Sequence, residues 1–148
     1  MTAYTIRPAE LQEAQQVAAL AIALWPGHSP AEMTEEFVSL LADPEARVFL
    51  AFADTLAVGF AQCQLRRDYV EGTQSSPVGY LEGIYVAPGH RGSGLARRLL
   101  AACEAWARAQ GCREFASDCE LDNDGSLQFH LLMGFREANR IICFTKKL

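Results

Sequence analysis

The feature that most constrains the fold is a glycine-rich turn between an apolar segment and an amphipathic one. Residues 81–100 read L-E-G-I-Y-V-A-P-G-H-R-G-S-G-L-A-R-R-L-L. Branched and aromatic residues before Pro88 predict a strand, and leucines at helical spacing after Gly94 predict a helix. A glycine-rich turn that opens a helix directs several backbone N–H groups at one point, where the helix dipole adds positive potential. The turn therefore predicts a phosphate site that needs no lysine, or else a tight connection without a ligand.

Hydrophobic periodicity and helix-breaking residues divide the rest of the chain into strands and helices. Strands are predicted over residues 3–7, 47–53, 57–66, 78–87, 113–118 and 140–146, and helices over residues 9–25, 30–42, 95–110 and 124–133. Ser29, Pro30 and Glu32 form a helix-start signature before the second helix. Because no repeat or linker interrupts this order, we expect one α/β domain over residues 1–148, built on a mixed sheet with flanking helices.

The composition excludes several classes of protein. A chain of 148 residues that is 50% hydrophobic can bury a core without a metal or disulfide staple, and it is too apolar to be disordered. No apolar run approaches the roughly 18 residues of a membrane span. The N-terminus lacks a signal-peptide pattern, so we expect a cytoplasmic protein without a membrane partner. A net charge of −5 without a basic run argues against nucleic acid and fits a cationic substrate.

The spacing of cysteine and histidine gives no sign of a metal site. The five cysteines include no C-x-x-C pair, and the three histidines form no H-E-x-x-H motif. We therefore expect reduced cysteines that fill the core and no bound metal, with a catalytic Cys–His pair as the alternative.

The glycine turn resembles the signature of one enzyme family. It contains neither G-x-x-x-x-G-K-[ST] nor G-x-G-x-x-G, and instead reads Arg91-x-x-Gly94-x-Ala96. This pattern resembles the R/Q-x-x-G-x-G/A signature of the GNAT acyltransferases, and the I-Y-V strand and the L-x-M-G-F at residues 131–135 are similar as well. The resemblance spans nearly the whole chain in element order. It implies a mostly antiparallel sheet with two splayed strands, where acetyl-CoA binds as acyl donor.

The same resemblance assigns the residues that hold the donor. They form the strand before the turn, the turn itself and the start of the next helix: Ile84, Tyr85, Val86, Arg91, Gly92, Ser93, Gly94, Leu95, Ala96 and Asn123. A free strand edge accepts the pantetheine arm as a sheet edge accepts an added strand. For Asn123, a helix N-cap is the alternative.

Two longer segments resemble the aminoglycoside 6′-N-acetyltransferases within that family. They are residues 67–86 and 114–123, together with Leu24-Trp25 before the Pro26-Gly27 break. The resemblance implies acetyl transfer to the 6′-amino group of aminoglycoside antibiotics by direct amine attack in a ternary complex, with antibiotic resistance as the result and a homodimer as the assembly. It assigns acceptor contacts to Trp25, His28, Tyr69, Glu82, Asp118 and Glu137.

Two of these acids are the candidate catalytic bases. Glu82 interrupts an otherwise apolar strand, which is costly unless the carboxylate is paired or faces a cleft, and Asp118 ends the next predicted strand. Either carboxylate is able to accept the proton of an attacking amine. Each candidate also has an ordinary structural alternative. Trp25 would anchor the core, and His28 and Tyr69 would be exposed loop residues without a role. Glu137 would pair with a nearby arginine, and the other acids would lie on a solvated face or cap a helix.

One position departs from the family pattern. Where many members carry a Tyr that protonates the leaving thiolate, this chain has His130. We therefore assign no Tyr acid, and leave His130, solvent or an unassisted thiolate as the alternatives.

Two other functions compete with this interpretation. One is a GNAT enzyme that acetylates another amine, such as a polyamine, an amino acid or a protein N-terminus. The other is a non-catalytic module that binds acyl-CoA or sequesters the antibiotic.

Overall fold

The computed structural model describes residues 2–148 and is organised around one five-stranded sheet. The strands are β1 (Tyr4–Pro8), β2 (Ala46–Ala53), β3 (Leu56–Arg66), β4 (Val78–Val86) and β5 (Phe115–Ser117). They lie in chain order; β1 to β4 are antiparallel neighbours, whereas β5 runs parallel to β4. The predicted α/β fold with a mixed, mostly antiparallel sheet is confirmed.

Four helices cover the two faces of this sheet. They are α1 (Ala14–Leu24), α2 (Pro30–Ala42), α3 (Leu95–Ala109) and α4 (Asp124–Leu132), and a 3₁₀ turn at Leu11–Glu13 precedes α1. Helix α2 begins as its sequence predicts, because the Ser29 hydroxyl accepts the backbone N–H of Glu32 at 3.1 Å. Neither these helices nor any other within residues 2–148 is both long and apolar enough to cross a membrane.

The core is divided into two layers by the sheet. On one face α1 and α2 bury Val17, Met33 and Phe37 against Leu50 and Phe60, all at 1% exposure or less. On the other face α3 packs its leucines and Cys103 against β3, and α4 adds Phe129. Burying each such large side chain contributes about 1.5–3 kcal/mol, which fixes the sheet between its helices.

The predicted last strand, residues 140–146, is wrong. The chain has no strand after β5, and Ile141, Ile142 and Phe144 are 69%, 80% and 87% exposed. A strand needs a pairing partner as well as β-branched and aromatic residues, and β5 offers an edge of three residues only. The tail is thus an apolar segment without cover among the described residues of this chain.

The cysteines are all free, and three of the five follow the expectation of a core position. Cys63, Cys103 and Cys112 are buried, but Cys119 and Cys143 are exposed. No group of three potential metal ligands occurs within residues 2–148.

Candidate active site

Strand β4 extends past the end of its neighbour and leaves a free edge. The β4–β5 ladder joins three residue pairs and stops at Leu81 and Ser117. Strand β4 continues to Val86, so residues 82–86 have no strand beside them on that side within the described chain. This is the splay that the sequence resemblance implies, and it leaves that edge of β4 without a paired strand among residues 2–148, as the addition of a strand requires.

A bulge lies at the point where the two strands part. Gln62 pairs with Gly83, but the next residue, Cys63, pairs with Leu81, so Glu82 is the extra residue of β4. A bulge bends its strand and redirects a side chain. The bulge places the Glu82 carboxylate beside Arg66 of β3, at the level where β4 and β5 part.

The glycine turn connects this edge to α3. Gly92 and Gly94 have φ of +77° and +84°, a region that residues with a Cβ rarely enter. Gly94 is the N-cap of α3 and supplies no side-chain cap, so the first-turn N–H groups are left for another acceptor. An added Cβ at either glycine meets no atom within 4 Å, which shows that backbone conformation, and not crowding, requires glycine here.

The polar side chains of the turn bind its own carbonyl groups. Arg91 Nε donates to the Val86 carbonyl at 2.7 Å, and Ser93 Oγ donates to the His90 carbonyl at 2.6 Å. The Tyr4 hydroxyl bonds His90 Nδ1 at 3.0 Å and so ties the turn to β1. These bonds fix the loop, and the backbone N–H groups of residues 92–96 donate to no backbone carbonyl of the described chain.

The two candidate bases belong to one cluster of four side chains. Arg66 Nη2 lies 2.7 and 2.8 Å from the two carboxylate oxygens of Glu82. The same guanidinium lies over the Tyr80 ring, 3.5 Å from its centroid, and the Tyr80 hydroxyl donates to Asp118. The structure therefore brings Glu82 and Asp118 into one network.

Protonation within this cluster follows from burial and charge. Burial opposes the charge of Arg66, but the hydrogen bond to Glu82 and the surrounding negative charge outweigh it and raise the Arg66 pKa. Burial, followed by the bond to Asp118, raises the pKa of Tyr80 well above its ordinary range. Tyr80 thus remains a hydrogen-bond donor and Arg66 a fixed cation throughout the neutral range.

Sequence reasoning missed Arg66 and Tyr80. The available signal was that Arg66 ends β3, the strand antiparallel to the strand that carries Glu82, so that a partner for a costly acid lay within reach. Only the pairing register of β3 and β4 shows that Arg66 lies within reach of Glu82.

Trp25 combines a core contact with a position beside the bulge. It follows α1 and packs edge-to-face on Phe60 at 6.1 Å between ring centroids. A Cβ added to Gly83 would lie 2.5 Å from Trp25 Cη2, so the ring covers the residue next to Glu82. Three residues on, His28 is exposed in the loop before α2.

The other two acceptor candidates lie in peripheral segments. Tyr69 is 77% exposed, and its hydroxyl bonds Glu71 at 3.3 Å. Glu137 pairs with Arg140 at 2.7 Å, which is the local pairing weighed above as its alternative. Asn139 Nδ2 donates to Glu71 at 3.0 Å, so the segment that carries Glu137 reaches the loop that carries Tyr69. Within residues 2–148, neither residue forms a hydrogen bond or a salt bridge with Glu82.

Asn123 and His130 both bond within the protein. The Asn123 side chain accepts the Ser126 N–H at 3.1 Å as the N-cap of α4, which is the alternative given above. His130 Nδ1 lies 2.7 Å from the Ser126 carbonyl, and its Nε2 lies 2.8 Å from Ser117 Oγ. Ser117 Oγ in turn lies 3.2 Å from the carbonyl of Leu81, at the last residue pair before the strands part.

This series of hydrogen bonds links His130 to the point where β4 and β5 part. The Nε2 atom of His130 contacts Ser117 Oγ, and the Ser117 hydroxyl donates to the Leu81 carbonyl at the last residue pair of the ladder. His130 Nδ1 lies near both the carbonyl and the hydroxyl of Ser126, which hold the ring in place. The series therefore forms a hydrogen-bonded path from α4 to the open edge of β4.

Comparison with known proteins agrees with this geometry. The profile of the acetyltransferase (GNAT) family matches residues 14–135. The chain belongs to this family. Its relatives include aminoglycoside N(6′)-acetyltransferase type 1 of Stenotrophomonas maltophilia, 47% identical over 99% of this chain and 95% of the relative. The corresponding Acinetobacter haemolyticus enzyme is 41% identical over 97% of this chain and 98% of that one.

Solved structures extend the likeness to the fold. AAC(6′)-Iy in complex with CoA has a TM-score of 0.96 and 37% identity, covering 100% of this chain and 97% of that chain. AAC(6′)-Iy in complex with the bisubstrate analogue CoA-S-monomethyl-acetylneamine has a TM-score of 0.94 and 37% identity, over 99% of this chain and 100% of that one.

Proposed function

We propose that this chain transfers the acetyl group of acetyl-CoA to the 6′-amino group of aminoglycoside antibiotics and so confers resistance. The observation that carries the proposal is the course of β4: one strand leads from the acidic cluster at Glu82, along a free edge, to the glycine turn. Donor and acceptor sites are therefore adjacent on a rigid element. The relatives that are 39–47% identical to this chain are named for that reaction.

The donor side uses backbone groups. The pyrophosphate of acetyl-CoA accepts N–H groups from residues 92–96 at the N-terminus of α3, where the helix dipole favours an anion. The pantetheine arm pairs with the β4 edge at Ile84, Tyr85 and Val86. A free N–H of this edge polarises the thioester carbonyl and stabilises the negative charge that develops on its oxygen. Asn123 contributes a cofactor contact from the start of α4.

The acceptor side uses the acids. A free alkylamine resembles lysine, and less than about 0.1% of it is neutral at pH 7. Glu82 or Asp118, directly or through a water, takes the proton, and the amine attacks the thioester carbonyl. Trp25, His28, Tyr69 and Glu137 contact the aminoglycoside around that centre.

The leaving thiolate needs a proton as the thioester breaks. The chain from His130 through Ser117 ends at the place where β4 and β5 part. The thiolate takes a proton that solvent supplies and that is relayed through His130 Nε2 and the Ser117 hydroxyl, so neither side chain undergoes a net change. This route replaces the Tyr that the sequence lacks.

The assembly is a homodimer of single-domain chains in the cytoplasm. The exposed apolar tail supports the dimer, because Ile141, Ile142 and Phe144 lack cover within the described chain. A stripe of such residues favours association with a second copy. Asn139 contacts the loop that carries Tyr69, so a partner that holds the tail also orders the acceptor side.

An acetylation assay with matched substrates tests the function. Kanamycin-like compounds that carry or lack a 6′-amino group are incubated with acetyl-CoA, and thiol release is followed. We expect turnover only when the 6′-amine is present. Turnover of a polyamine, an amino acid or a peptide N-terminus in preference to every aminoglycoside would replace the acceptor, and tight binding without thiol release would indicate a sequestering module.

A further inference from the structure

A cation of the protein already occupies the acidic cluster. Arg66 contacts both oxygens of Glu82 and stacks on Tyr80, whose hydroxyl bonds Asp118. The charged and titratable groups that face its guanidinium are these three, from β4 and from the segment after β5. Arg66 is thus the positive member of a site whose other charges are negative.

This charge matters because the site has two opposed tasks. Carboxylates attract a polycationic substrate, but the same negative charge stabilises the ammonium form and hinders its deprotonation. A neighbouring cation has the reverse effect, as it does where catalytic lysines are activated by a second positive group. With Arg66 present, the ion pair with Glu82 is neutral and one uncompensated carboxylate, Asp118, remains.

We propose that Arg66 sets the charge balance of the acceptor site: it competes with substrate ammonium groups for Glu82, which lowers affinity, and it favours the neutral, nucleophilic form of the bound 6′-amine, which raises turnover. The proposal rests on the proposed function. It makes Arg66 a positioning and specificity residue that acts through Glu82 and through its own field.

The geometry favours this role over a surface ion pair. The Arg66 side chain is 40% exposed and therefore accessible from solvent, whereas Glu82 is only 18% exposed. Stacking on Tyr80 keeps the planar guanidinium in place, which a lysine does less well. The adjacent Arg67 shows the contrast: it pairs with Glu45 at the surface, at 58% and 46% exposure.

The experiment compares two variants that are neutral at position 66 with two controls that keep a positive charge there. R66Q and R66M both remove the charge, and R66M keeps an unbranched apolar side chain against the Tyr80 ring. With two neutral variants, failure of one of them to fold does not decide the result. R66K retains the charge, and R67Q removes the neighbouring charge. Dissociation constants for a kanamycin-like 6′-amine are measured by calorimetry, and kcat and KM are measured across pH.

A split between affinity and turnover is the expected result. R66Q and R66M bind the aminoglycoside about tenfold more tightly, turn it over more slowly, and show a kcat/KM profile displaced upward by roughly one pH unit, the lower end of what a neighbouring charge does. R66K keeps the charge and therefore shifts less than the neutral variants do, and R67Q equals wild type. Weaker aminoglycoside binding, or an unshifted profile, in the folded neutral variants would overturn the proposal.

The same measurements distinguish failure of the proposed acetyl transfer from failure of the role of Arg66. Wild-type protein that acetylates no 6′-amino aminoglycoside removes the proposed function, and the role of Arg66 with it. An active wild type whose neutral variants keep the wild-type affinity and profile removes the role of Arg66 alone.

Discussion

Gly83→Ala is expected to damage the acceptor site through Trp25. Gly83 does not have a positive φ, so alanine suits its backbone. The new Cβ would lie 2.5 and 2.6 Å from Trp25 Cη2 and Cζ2, and 3.1 Å from Leu24 Cδ2. These contacts are too short, and Trp25 must move although Phe60 packs on it.

The magnitude follows from two opposed effects. Overpacking in a well-packed core costs about 1–3 kcal/mol, and replacing glycine by alanine in a permitted conformation returns about 0.4–1 kcal/mol. The net loss of about 1–2 kcal/mol lowers Tm by roughly 2–8 °C in a chain of this length. Because the displaced ring lies beside Glu82, we also expect a higher KM for aminoglycosides and an unchanged Kd for CoA.

Thermal unfolding, aminoglycoside kinetics and CoA calorimetry measure these effects. Gly89→Ala is the matched control, since an added Cβ there meets nothing within 4 Å and its φ is not positive. A second variant, Gly83→Ala combined with Trp25→Leu, relieves the contact and should recover stability relative to Gly83→Ala alone. If Gly83→Ala were as stable as wild type with an unchanged aminoglycoside KM, the assignment of Trp25 as the cover of the acceptor site would be refuted.

Four further outcomes are expected. Gly94→Asp places a carboxylate at the phosphate site in a strained conformation, so CoA affinity in calorimetry falls; an unchanged titration contradicts the turn assignment. Glu82→Gln lowers kcat/KM for aminoglycosides and leaves acetyl-CoA affinity intact, and normal turnover would remove Glu82 from the site. Ser117→Ala lowers kcat more than KM, and a donor with a more acidic thiol restores the rate, whereas a uniform loss with all donors speaks against the proton route. The hydrogen bond from Arg7 lowers the pKa of Glu13. The stability that this pair contributes is therefore complete above the unfolded carboxyl pKa of about 4.3 and is lost as pH falls through the lower folded value. Denaturant unfolding between pH 6 and about pH 2 should show a smaller loss of folding stability on acidification in E13Q than in wild type.

The sequence correctly predicted those elements whose structure depends on residues close together in the chain. The Ser29 cap, the glycine turn and the apolar periodicity of α3 each depend on residues close in the chain, and each element forms within a residue or two of its expected bounds. The order of these elements, with the turn signature, was enough to predict the fold.

Non-local pairing accounts for the failures. Residues 140–146 have strand-like side chains, but nothing in the sequence shows that β5 provides too short an edge for them. The partner of Glu82 depends on the register of β3 against β4 and on a one-residue bulge, and both are properties of the assembled sheet. The sequence identified Glu82 and Asp118 as candidate bases, but the side chains of Arg66 and Tyr80 that join them are seen only in the structure.

The shortness of β5 has a consequence for how acetyl-CoA arrives. Since the ladder ends at Ser117 while β4 runs five residues further, the cleft is a permanent product of strand length, and no main-chain pairing has to rupture for entry. Acetyl-CoA should therefore bind to a strand edge that is already free. We expect its association rate to depend on ionic strength, through the charge of the phosphates, and hardly at all on opening motions of the sheet.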